Sequence, residues 1–166
     1  MTMLRSIVTL CLVAGVSAVA SAQASLQVKR PDVNGPRKLE QQTATAAIHN
    51  YLQAWSSFHS AFQDNDASLL NRDFVGTAKE KLSATIGQQS NLKIHTGYQD
   101  RAHVIQIVFY SPEGLSLELT DDVEYDMQLI DQDKPGAMQH MRAHYIVVMT
   151  PSETRWKVRV FQAVPE

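Results

Sequence analysis

Ala44, Ile48, Tyr51, Trp55, Phe58 and Phe62 recur at alternating steps of four and three, the spacing that aligns side chains along one stripe of an α-helix. His49, Gln53, Ser56 and Ser57 fall mainly on other faces. The stripe reads as core, with a lining for a ligand cavity as the sharper alternative. Asp64-Asn65-Asp66 ends this helix, and Asp66 is placed to cap a short second one through Leu69, Leu70 and Phe74. Thr77 followed by Glu80 matches a capping box, which predicts a third helix from Ala78 to about Ile86, stopped by Gly87.

From Asn91 the hydrophobic period changes to two. Leu92, Ile94, Thr96 and Tyr98 alternate with polar positions, and Ala102 to Ser111 reads as a further, more buried strand. Ser111-Pro112-Glu113-Gly114 has β-turn chemistry, so the strands on either side of it are expected to form a hairpin. Beyond the turn, Leu115, Leu117, Leu119, Val123, Tyr125, Met127 and Leu129 share one face, while Ser116, Glu118, Thr120, Asp122, Glu124, Asp126 and Gln128 share the other. That alternation describes a sheet with one covered and one wet face. Asp131 to Gly136 reads as a polar loop, Met138 to Thr150 as a strand ending at Pro151, and Trp156, Val158 and Val160 alternate with Arg155, Lys157 and Arg159 in a last strand. Helices followed by an antiparallel meander predict an α+β fold over residues 43–166, its N-terminal helices packed on one face of a curved antiparallel sheet.

This order of elements resembles the nuclear transport factor 2-like, or SnoaL-like, group. The resemblance covers about Thr43 to Val164 and is carried by the striped helix, by Leu69-Leu70 and Phe74-Val75-Gly76, and by the closing Trp156-Lys157-Val158. It implies helices and a curved sheet closing as a cone around an apolar cavity. The group includes isomerases, dehydratases, ligand-binding modules and assembly domains, so the resemblance does not choose a function. A cystatin-like helix laid across a meander is the alternative architecture.

The N-terminus speaks to compartment. Arg5, the apolar run Ile7 to Val19, and the small-x-small patterns Ala20-Ser21-Ala22 and Ala22-Gln23-Ala24 predict a cleavable signal peptide over residues 1–24, hence a secreted or periplasmic protein. The run is short for a bilayer, which needs about 20 apolar residues, so an uncleaved anchor is the weaker expectation and no span is expected after cleavage. Cleavage removes Cys11, the chain's one cysteine, and with it any disulfide, thiol nucleophile or Cys-based metal site. It also removes Arg5, taking the formal net charge from −2 to about −3, which gives no electrostatic reason to bind nucleic acid. Residues 25–42, punctuated by Pro31, Gly35 and Pro36, read as a flexible linker.

Candidate chemistry is sparse. Asp121 is the one carboxylate in phase with the apolar face of Leu115 to Leu129, and burial would raise its pKa toward a range useful for proton transfer. Tyr125, Tyr145 and His103 are its candidate companions. Within the resembling group, ketosteroid isomerase uses aspartates and a tyrosine in this manner. A β-bulge at Asp121-Asp122 would instead turn the carboxylate to solvent. His140 and His144 would suit a metal on a helix, but on a strand they lie about 13 Å apart on one side, with Arg142 between them, as a solvated or anion-binding basic stripe. No cofactor motif, serine elbow, phosphate loop or acidic ligand cluster is present in the sequence.

Two functions from different classes fit these features. The first is an exported non-catalytic domain that binds a small apolar molecule or an envelope protein partner. The second is a cofactor-free isomerase or dehydratase using Asp121 with a tyrosine or histidine. A homodimer steered by basic Arg155, Lys157 and Arg159 against acidic Glu118, Asp122, Glu124 and Asp126 is a further expectation.

Overall fold

The computed structural model describes residues 24–33 and 35–164; the leader expected at 1–24 lies, but for Ala24, outside the described residues. The chain runs β1 (Ser25–Val28), α1 (Gln41–Asp64), a 3-10 turn (Ala67–Leu70), α2 (Gly76–Asn91), β2 (Ile94–Tyr110), β3 (Leu117–Asp131), β4 (Lys134–Pro151) and β5 (Trp156–Val164). The five strands form one sheet in the order β1-β2-β3-β4-β5. Strands β2 to β5 are an antiparallel meander, and β1 lies parallel to β2. Helices on one face of a curved, unclosed sheet make this the expected α+β cone, with a mixed rather than purely antiparallel sheet.

The parallel strand comes from the segment read as a linker. Lys29 and Asp32 donate their N–H groups to the carbonyls of Ile105 and Ile107, and Arg37 donates to the Pro112 carbonyl while lying over the Tyr110 ring. Proline excludes helix here but leaves extended backbone free to pair.

The apolar stripe of α1 delivers Tyr51, Trp55, Phe58 and Phe62 into the core, with Ile48 at its margin. Asn65, in the left-handed region, closes the helix, and the Asp66 carboxylate accepts from the Ser68 N–H as expected of a cap. The expected stop at Gly87 is not observed: α2 continues to Asn91, because Gln89 in that last turn is buried and bonds the Phe62 carbonyl, Asn65 and Thr96. The Thr77–Glu80 box is also absent at the helix start, where the Thr77 hydroxyl donates to the Arg159 carbonyl.

The two strands expected from Leu92 to Ser111 are one, bent by register shifts at Asp100/Ala102 and Ile107/Phe109. Leu92 caps α2 and is exposed. The Ser111–Gly114 turn closes as expected, with Gly114 N–H on the Ser111 carbonyl. Asp131 to Gly136 is no loop but a tight hairpin turning on Gln132 and Asp133, both at positive φ. In β3, Leu117, Leu119, Asp121, Val123 and Tyr125 all face the core.

Candidate functional site

Asp121 points inward and is fully buried. The bulge proposed at Asp121-Asp122 does not exist, since Asp121 sits in unbroken register between Ile105 and Tyr145. A carboxylate taken out of water needs hydrogen-bond partners in place of the water it loses. Its Oδ2 accepts from the Tyr51 hydroxyl at 2.8 Å and lies 2.7 Å from His103 Nδ1, and its Oδ1 accepts from the Val104 N–H at 3.1 Å. Trp55 Nε1 in turn donates to the Tyr51 oxygen at 2.5 Å. Burial, then the neighbouring Asp121 carboxylate, pushes the Tyr51 hydroxyl far above its usual range, so it is a hydrogen-bond donor at any physiological pH.

The second half of the cluster depends on the bend in β2. Inward residues are His103, Ile105 and Ile107 in the middle of the strand but Thr96 and Tyr98 before the shift at Asp100/Ala102. That bulge turns Asp100 to the same side as His103, a local re-aiming that bulges produce. His103 Nε2 lies 3.4 Å from Asp100 Oδ2, and His59 Nε2, from α1, lies 3.3 Å from Asp100 Oδ1 without hydrogen-bond alignment.

The two histidines are held in opposite states. Burial alone would lower the pKa of His103, but its bonds to Asp100 and Asp121 outweigh this and raise it to about 9. His59 is lowered, by burial first, with Asp100 opposing. His103 therefore contributes stability that is complete below its unfolded value of 6.5 and lost as pH rises through about 9. His59 contributes stability that is complete above 6.5 and lost as pH falls through its depressed value. Urea midpoints measured against pH are expected to peak near 6.5 and decline toward 9. His103→Gln should flatten the alkaline decline; an unchanged slope would show that His103 is not charged in the fold.

Trp55 occupies the centre of the cone. Its ring centroid is 5.3 Å from those of His103 and Tyr145 and 5.4 Å from those of Phe58, His59 and Phe161. Tyr125 and Tyr145 are buried beside it; burial, followed by the Tyr125 hydroxyl, raises the Tyr145 hydroxyl far above its usual range. Neither tyrosine is the partner of Asp121: that role belongs to Tyr51. Two depressions lie elsewhere, one of about 430 Å³ between β1 and α1 and one of about 460 Å³ over Ser56, Ser60 and Arg72. No group of three or more metal-ligating side chains suited to an ion is found among the described residues.

The basic stripe of β4 is matched across the sheet. His144 pairs with Asp122 at 2.6 Å, Arg142 with Glu124 at 2.9 Å and His140 with Asp126 at 3.1 Å. Asp126 also takes Arg101 at 2.6 Å, whose bond holds its carboxyl below the usual range. Arg155, one of the residues expected to steer a dimer, is instead bound within the chain to the buried carboxylate of Asp73 at 2.6 Å.

Comparison with known proteins bears on the fold. No protein-family model matches the sequence, and no curated protein does. Among solved structures, the intermembrane space region of the chloroplast protein ARC6 aligns with a TM-score of 0.62 at 12% identity, over 78% of this chain and 100% of that one. A candidate scytalone dehydratase from Novosphingobium aromaticivorans aligns at 0.52 and 11% identity, over 76% of this chain and 89% of that one. A periplasmic fragment of TraM aligns at 0.51 and 13%, over 74% and 98%. A candidate dehydratase of the NTF2-like family from Streptomyces avermitilis gives 0.51 and 11%, over 74% and 98%. The fold is nuclear transport factor 2-like. At these identities the NTF2-like fold is what is shared, and it is shared both with proteins described as dehydratases and with fragments described only by their periplasmic or intermembrane location.

Proposed function

We propose that this chain is an exported, non-catalytic domain that engages a protein partner, with its NTF2-like interior serving as core rather than as a binding chamber. The observation that carries this reading is the occupation of the cone's centre by Trp55, 2% exposed, over an Asp121 whose hydrogen bonds are already taken by Tyr51, His103 and Val104. A general acid or base must reach its substrate proton within hydrogen-bond distance. Here the Tyr51 and His103 side chains and the Val104 N–H hold those positions. The leader-like residues 1–24 support export, and no helix of the described residues is long and apolar enough to cross a membrane.

A cofactor-free isomerase or dehydratase is the second reading, favoured by the 2.7 Å contact of Asp121 with His103 and by the latter's raised pKa of about 9. It requires Trp55 to swing away and admit substrate. The two readings separate in a titration with 1-naphthol followed by the imidazole resonances of His103. Wild-type resonances are expected to stay in place, while Trp55→Ala, which opens an indole-sized space, should bind indole. Saturable shifts in the wild type would reject the filled-core reading and favour the enzyme.

A further inference from the structure

We propose that the edge of β1, unpaired among the described residues, and the apolar groove beside it form a docking site for an extended, acid-flanked segment of a partner protein, added to the sheet as one more strand. This rests on the partner-binding reading above and assigns its surface.

The backbone offers the first argument. Val28 is in parallel register with Ile105, whose carbonyl accepts from the Lys29 N–H at 2.8 Å. Backbone groups alternate along a strand, so Gln27 and Lys29 face β2 while the N–H and C=O groups of Leu26 and Val28 point off the edge of the sheet. Edge strands are ordinarily blunted by charge, proline or a bulge. Ser25–Val28, four residues long, carries no charge, proline or bulge of its own; Lys29, Arg30 and Pro31 follow it.

Side chains give the second. Leu26 and Val28 stand on the inner face with their partners His103 and Ile105, yet are 51% and 47% exposed. Between them and α1 lies the groove of about 430 Å³, floored by Ala44, Ile48 and Leu52. A strand bonded to Leu26 and Val28 would drop alternate side chains into it, the arrangement by which added strands gain both affinity and specificity.

Charge selects the occupant. Residues 29–38 hold Lys29, Arg30, Arg37 and Lys38 against Asp32 alone, all exposed, in a chain of net charge −2. A carboxylate at the end of the incoming strand would meet Arg30, and Lys29, whose Nζ lies 4.0 Å from Asp122 Oδ2. A second copy is poorly matched, because β1 is followed by this basic run and the opposite edge strand, β5, carries Lys157 and Arg159. Edge-to-edge contact between copies would set like charges together.

Selection of random displayed peptides against the full chain, followed by amide hydrogen exchange with the best synthetic peptide, tests this. Enriched peptides are expected to alternate aliphatic and polar residues and to end in Asp or Glu. They should slow exchange at Leu26 and Val28 by about tenfold or more, and bind about tenfold more weakly to Val28→Pro and to the surface variant Leu26→Asp. Absence of enrichment, peptides lacking the acidic end, or protection mapping elsewhere would overturn the proposal. Slowing of these two amides with rising protein concentration alone would identify a second copy and overturn it as well. None of these readouts involves the interior, so naphthol binding to the wild type would remove the filled-core reading without imitating a failure at the edge.

Discussion

Trp55→Ala is expected to lower the unfolding free energy by about 3–5 kcal/mol, the range for deleting a fully buried tryptophan. The indole is 2% exposed and meets rings from α1, β2, β4 and β5, so no single neighbour can collapse into the space it leaves. Its removal also strips the Tyr51 oxygen of a donor. Against a total stability of about 5–15 kcal/mol, such a loss should lower the melting temperature by roughly 10–20 °C. Urea denaturation followed by the emission of the remaining Trp156 provides the measurement. A loss below about 1 kcal/mol would mean that the site relaxes easily or opens in solution, which is the behaviour the enzyme reading needs.

The helical stripe and the inward phase of Asp121 were legible because each depends on a regular period. Six apolar residues of α1 share one face, and the alternation from Leu117 to Tyr125 places Asp121 with Leu119 and Val123, whereas Leu115 and Leu129, expected on the same face, are exposed. What the period could not show is where it breaks. Asp100 is out of phase with His103 in an unbroken strand, and only the register shift at Asp100/Ala102 brings both to one face. His59 meets Asp100 only through that bend. Tyr51 was legible as core but not as the partner of Asp121, from which it is separated by 70 positions. Tyr125 and Tyr145 share the inward phase of Asp121, yet phase alone does not tell which hydroxyl reaches the carboxylate. Strand β1 was missed because four residues carry too little periodicity, and the prolines downstream argued for a linker. A helix continuing through Gly87 shows the same limit, since the bonds of Gln89 that hold it are tertiary.

Asp121→Leu should destabilise the protein by about 3–5 kcal/mol, for a reason distinct from cavity formation. Removing one member of a buried charged pair leaves the other uncompensated, and that penalty exceeds what the pair itself contributes. Here the Tyr51 hydroxyl and the Val104 N–H lose their acceptor, and the His103 imidazolium keeps only Asp100, at 3.4 Å. Asp121→Asn keeps the shape and can still accept from Tyr51, so its cost should be smaller, about 1–3 kcal/mol. Because the lost charge partner had raised the pKa of His103, both variants should move that pKa downward and shift the alkaline decline in stability to lower pH. Denaturation across pH, paired with titration of the His103 ring, reads both effects at once. If Asp121→Leu proves as stable as the wild type while the ring titrates unchanged, the cluster is not the buried anchor of this core, and the filled-cone reading loses its polar half.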